Sequence, residues 1–101
     1  MRRVYYGRTM PSVSDFEAEN LARQLLRSET ETIHTSNELV VHYVCVLIKE
    51  RQVPHETIEF VYEKNLDSKT QEIIKPDKNG RFNDWPEGFC SFFDDYLSRL
   101  L

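Results

Sequence analysis

The period of the apolar residues changes along this chain, and that change limits what it can fold into. Ala18, Leu21, Ala22, Leu25 and Leu26 recur at three and four residues, as do Val40, Tyr43, Val44, Leu47 and Ile48, so each set lines one face of a helix. Ile58, Phe60 and Tyr62 instead alternate with Glu59, Val61 and Glu63, the two-residue period of a strand. Phe89, Phe92, Phe93, Tyr96, Leu97 and Leu100 then return to helical spacing. If those six are buried, they contribute on the order of 10 kcal/mol of gross transfer energy. Stripes and alternating faces must cover one another, which predicts an α/β (α+β) fold: a small sheet of three to four strands with a hairpin, packed against about three helices.

Local signals set the expected boundaries. Ser14 and Glu17 form a Ser-x-x-Glu box, in which cap hydroxyl and third-position carboxylate each satisfy an amide of the first turn, so a helix is predicted over roughly 15–28. Glu29 to His34, ETETIH, suits a short strand with one wetter face. Thr35 and Glu38 make a second box, opening a helix that ends near Arg51, ahead of Pro54. Asn65 to Ser68 supply a polar turn between the strand at 58–63 and a return strand at Thr70 to Lys75. Asn79-Gly80 is a turn dipeptide, because both residues tolerate positive φ. Residues 1–13 show no period and are expected to form an N-terminal arm or edge strand, ahead of a single compact domain over 14–101. A chain of 101 residues supports one core.

Composition narrows the function classes. A formal net charge of −4 argues against general attraction to a phosphate backbone, so direct nucleic-acid binding is not expected. The 40% hydrophobic and 30% charged content is too apolar for a disordered tail and too charged for a membrane span. The longest apolar run, Leu39 to Ile48, contains His42 and is too short to cross a bilayer. Cys45 and Cys90 sit inside helical patterns without metal or disulfide spacing, which fits a reducing cytoplasm.

The chemistry-bearing residues are few. Glycines at 7, 80 and 88 are too far apart for a phosphate loop, so no nucleotide cofactor is expected. His34, His42 and His55 fall in three elements, and no pair has the spacing that sets two metal ligands on one helix face. Arg2 and Arg3 beside Tyr5 and Tyr6 can stack on or pair with an acidic partner, and they equally describe a solvated arm. His34, Thr35, Ser36 and Asn37 stand where a strand hands over to a helix start and form a candidate anion site; the same residue types are what any helix cap requires. Asp84, Glu87, Asp94 and Asp95 crowd the last helix, where carboxylates ordinarily complement the dipole. Trp85-Pro86 is a corner that seats the terminal helix.

Three pieces in succession carry a resemblance: Ile33-His34-Thr35-Ser36-Asn37-Glu38-Leu39-Val40, then Ile58-Glu59-Phe60-Val61-Tyr62-Glu63-Lys64, then Gly80 to Phe89, GRFNDWPEGF. Over about residues 30 to 97 the chain resembles the carboxy-terminal end of bacterial ABC-type and OLD-like AAA ATPases. Those proteins carry a Thr-His-Ser-Glu strand end, an Glu-Lys strand end and a closing Trp-Pro-x-Gly-Phe segment. The family's phosphate loop, signature helix and catalytic acids have no counterpart in these 101 residues. Its switch histidine aligns with Ser36 when Thr35 and Glu38 are matched. The resemblance implies a protein-binding or regulatory module, without activity of its own, that docks on or imitates part of an ATPase or effector complex, in phage defence or its inhibition. Trp85, Pro86 and Phe89, with Arg2, Arg3, Tyr5 and Tyr6, are its expected binding residues. A protein partner and a homo-oligomer covering a free sheet edge are expected; membrane association is not. The alternative is a small metal-dependent nuclease or hydrolase built on the acids and His34.

Overall fold

A computed structural model describes residues 1–63 and 71–83. The expected third helix over 89–100, with Trp85, Pro86 and Phe89, lies outside the described residues. Four strands form one mixed sheet: β1 (Arg2–Gly7), β2 (Thr32–Thr35), β3 (Ile58–Glu63) and β4 (Gln71–Ile74), in the spatial order β2-β1-β3-β4. β1 runs parallel to both β2 and β3, while β3 and β4 are antiparallel, as the hairpin reading requires. Two helices, α1 (Asp15–Arg23) and α2 (Glu38–Lys49), make the connections. The α+β architecture thus matches the periodicities.

The first residues depart from expectation. Arg2–Gly7 is neither an arm nor an edge strand but an interior strand, paired along its length on both sides. Its alternation puts Val4 and Tyr6 in the core, where Val4 is fully buried and Tyr6 stacks on Tyr62 with centroids 5.8 Å apart. Arg2 shares that face, and its burial is what the sequence alone conceals. Its Nε donates to the Leu25 carbonyl at 2.7 Å and its Nη1 to the Thr57 hydroxyl at 2.7 Å, which keeps a charged group satisfied away from water. Residue 13 is therefore no boundary, since β1 belongs to the same core as everything after it.

One face of the sheet carries Val4, Tyr6, Ile33, Ile58, Phe60, Tyr62 and Ile74, and packs with Ala18, Ala22 and Leu25 and the buried side of α2 in one cluster. α1 is shorter than the predicted 15–28 because it tightens into a 3-10 turn at Gln24–Leu26. Ser14 stands at its cap without a side-chain bond; the Glu17 amide takes the Ser14 backbone carbonyl at 3.0 Å instead, so the first box does not close. The second box is displaced as well. Thr35 extends β2, pairs with Tyr6 and is fully buried, which moves the cap of α2 to Asn37. β3 also differs from a half-wet strand: Glu59, Val61 and Glu63 are buried along with the apolar positions.

His42 lies on the buried side of α2, and burial holds its imidazole below the ordinary histidine range. The unfolded chain therefore takes up a proton at that site before the folded protein does. Stability from this site is fully present above the unfolded value of about 6.5 and declines as pH falls toward the lower folded value. Urea melts at pH 7.5 and 5.5 should show a larger acid-side loss for the native chain than for His42→Leu; equal losses would remove this residue from the pH profile.

Candidate docking surface

The second face of the sheet is built differently at its two sides. On β1 and β2 it carries Arg3, Tyr5, Thr32 and His34, of which Arg3, Thr32 and His34 are exposed and Tyr5 is half-buried. The parallel register Tyr5↔His34 sets these two rings side by side, stacked at 4.8 Å between centroids and 11° between planes. Arg3 reaches the other way, and its Nε donates to Glu59 Oε1 at 2.9 Å. That hydrogen bond and the carboxylate's charge push the Arg3 guanidinium above its ordinary value. The surface is an aromatic platform bordered by a held cation.

Beside it runs β2, the edge strand of the described sheet. Arg3 pairs with Thr32 while its amide donates to the Glu31 carbonyl at 3.1 Å. In a parallel ladder this phase turns the backbone groups of Glu31, Ile33 and Thr35 toward β1. The amides and carbonyls of Thr32 and His34 then point away from the sheet, and no described strand pairs with them. An edge flanked by an aromatic stack is suited to receiving an added strand, with main-chain bonds supplying affinity and side-chain contacts supplying selectivity.

Of the arginines and tyrosines singled out from the sequence, the two-residue alternation of β1 therefore separates two kinds. Arg3 and Tyr5 reach the outer surface, whereas Arg2 and Tyr6 serve the core. His34 joins Tyr5 rather than an anion pocket. Its neighbours Thr35, Ser36 and Asn37 are spent internally. The Asn37 amide donates to Thr35 Oγ1 at 2.9 Å, the Leu39 amide to Asn37 Oδ1 at 2.9 Å, and the Val40 amide to the Asn37 carbonyl at 3.1 Å. Asn37 Nδ2 donates to the Val13 carbonyl and to Asp15 Oδ1, both at 2.9 Å, and the Ser36 amide to the Pro11 carbonyl at 3.0 Å. This cluster is a cap that also ties β2 and α2 to the segment entering α1.

Glu59 and Glu63 were legible only as residues alternating with the apolar positions of a strand, yet they organise the outer face. Glu63 Oε1 accepts from the Thr9 hydroxyl, and a Cβ on Gly7 would stand 2.8 Å from the Glu63 Cβ, so the loop leaving β1 lies directly against the end of β3. Only the β1–β3 register reveals either partnership. Among the described residues no group of three or more His, Cys, Asp or Glu side chains converges as a metal site, and no helix is long and apolar enough to cross a membrane. Cys45 is buried, and burial, followed by the charge of Asp77, pushes its thiol far above the ordinary range. Compared with known proteins, the chain matches no family model, no curated protein and no solved structure.

Proposed function

We propose that this chain is a cytoplasmic protein-binding or regulatory module that docks on, or imitates part of, an ATPase or effector complex. The observation that carries the reading is the outer edge of β2, which no described strand pairs with, with the Tyr5–His34 stack and Arg3 beside it. An exposed edge is an aggregation hazard that proteins commonly cover, so one left open next to aromatic surface favours a strand-supplying partner. The resemblance to the closing part of ABC-type and OLD-like ATPases supports the same conclusion. Two of its three pieces coincide with β2 leading into α2 and with β3. The third, Gly80 to Phe89, lies outside the described residues from position 84 onward. A partner drawn from phage defence or its inhibition accords with that resemblance, and a second copy of the chain would cover the same edge.

The test separates edge pairing from side-chain contact at one position. His34→Ala deletes the ring and keeps the outward amide, whereas His34→Pro deletes both and leaves the β1-facing amides of Ile33 and Thr35 untouched. Binding to a co-purified ATPase or effector subunit of the host, measured by calorimetry, should weaken several-fold in the alanine variant. The proline variant should lose it by about 100-fold or more, equivalent to about 2.7 kcal/mol. Circular dichroism melts check that both remain folded. If the folded proline variant binds as well as the alanine one, the edge is not the docking surface.

A further inference from the structure

Asn79-Gly80 forms a turn, and the dipeptide also carries a chemistry of its own. The side-chain carbonyl carbon of an asparagine can be attacked by the backbone nitrogen of the next residue, closing a succinimide ring. Glycine in the next position shields that nitrogen least, because it has no Cβ. Asn79 is exposed, so water reaches its side chain, while Gly80 is buried.

In the closed turn the attacking nitrogen is engaged. The Gly80 amide donates to the Asp77 carbonyl at 3.0 Å, and Asp77 Oδ1 accepts from the amides of Asn79 at 2.8 Å and Arg81 at 3.0 Å. The flanks are joined as well, since the Asp77 amide donates to the Arg81 carbonyl at 2.7 Å and Pro76 bridges to Phe82. An amide that gives its hydrogen to a carbonyl does not readily lose it, and the nitrogen becomes a nucleophile only on that loss. The turn also bears on α2. A Cβ on Gly80 would stand 2.4 Å from the Cys45 carbonyl oxygen, and Asp77 is near enough for its charge to act on the thiol of Cys45, a residue 3% exposed.

We propose that Asn79 is a site of spontaneous deamidation that reacts only while the turn at 77–81 is open, and that its isoaspartate product cannot close the turn again and leaves Cys45 uncovered. The Gly80 nitrogen loses its proton to solvent and bonds to Asn79 Cγ; the bond from Cγ to Nδ2 breaks, and ammonia leaves with a proton returned by solvent. Water then adds across either carbonyl–nitrogen bond of the ring, giving aspartate or isoaspartate with no change in oxidation state. The isoaspartate route runs the main chain through Cβ and Cγ of residue 79, which inserts one methylene ahead of Gly80. That insertion shifts the Gly80 amide relative to Asp77, and the α2 backbone leaves Gly80 no room to move inward. A buried thiol is inert, whereas an uncovered one is open to alkylation. This site stands apart from the β2 surface and does not rest on its reading.

The full chain and Asn79→Gln, whose longer side chain closes a ring far more slowly, are aged side by side in mildly alkaline buffer, folded and in urea, then peptide-mapped by mass spectrometry. The native chain should gain the mass of an amide-to-acid exchange at position 79, about tenfold or more slowly when folded than in urea. That slowing should match the hydrogen-exchange protection of the Gly80 amide within about threefold, because both reactions need the same local opening. Iodoacetamide should label Cys45 several-fold faster in the isoaspartate fraction than in fresh chain or in aged Asn79→Gln. The absence of product at position 79 in the folded chain, equal rates folded and in urea, a slowing about tenfold away from the Gly80 protection, or unchanged Cys45 labelling in the isoaspartate fraction would each overturn the proposal.

Discussion

Phe60→Ala is expected to lower the unfolding free energy by about 3–5 kcal/mol, the range for removing a buried aromatic ring. Phe60 is fully buried at the centre of the sheet, where β3 stands between β1 and β4, and its pairing partners are Val4 and Ile74. Its ring meets Phe82 edge to face, with centroids 5.1 Å apart and planes at 84°. The alanine would leave a void that neighbours on both flanking strands, held by their ladders, cannot close. Against a total of about 5–15 kcal/mol for a domain of this size, that is a large share. Urea denaturation followed by circular dichroism should show a much lower midpoint, and Ile73→Ala, at a position 62% exposed on β4, should stay within about 0.5 kcal/mol of the native chain. A Phe60→Ala midpoint close to that of Ile73→Ala would refute this account of the core.

Gly80→Ala is expected to be nearly as damaging, although it adds a single methyl group. The backbone of Gly80 has φ +72°, and a Cβ there would stand 2.4 Å from the Cys45 carbonyl oxygen on α2. Strain in the left-handed region and overpacking each cost about 1–3 kcal/mol. The obstacle is helix backbone, which cannot swing aside as a long side chain would. Nor can the turn easily back away. The Asp77 amide donates to the Arg81 carbonyl at 2.7 Å, the Gly80 amide to the Asp77 carbonyl at 3.0 Å, and Asp77 Oδ1 accepts from the amides of Asn79 and Arg81. A loss of about 2–5 kcal/mol in the same denaturation assay is the expected result; a loss under about 1 kcal/mol would mean that the turn does not press on α2.

The contrast between Gly80 and Gly7 shows what a sequence can disclose. Asn79-Gly80 reads as a turn because positive φ is a local property that a dipeptide announces. Gly7 carries no such sign, and its requirement comes from the approach of Glu63, which is 56 residues away in the chain and adjacent only through the β1–β3 register. The candidate docking surface divides in the same manner. Tyr5 and His34 were each noticed for their chemistry, but in separate roles, and a parallel pairing between residues 29 apart makes them one stack.

The cap assignments mark a second limit. Ser14/Glu17 and Thr35/Glu38 both satisfy the box pattern, yet neither closes: Ser14 caps without a side-chain bond, and Thr35 is buried inside β2 while Asn37 takes over its duty. Side-chain caps contribute about 1 kcal/mol, and a buried strand residue outweighs them.

By itself, the order of residues determined the helical stripes of α1 and α2, the strand period of β3, the antiparallel return of β4 and the turn at Gly80, since each depends on spacing or φ preference within a few neighbours. Tertiary structure alone decided that Arg2–Gly7 lies inside the sheet, that Arg2 is buried while Arg3 is exposed, and that no described strand pairs with the outer edge of β2. Strand order and register arise from contacts between distant segments, and no local period encodes which strand lies beside which.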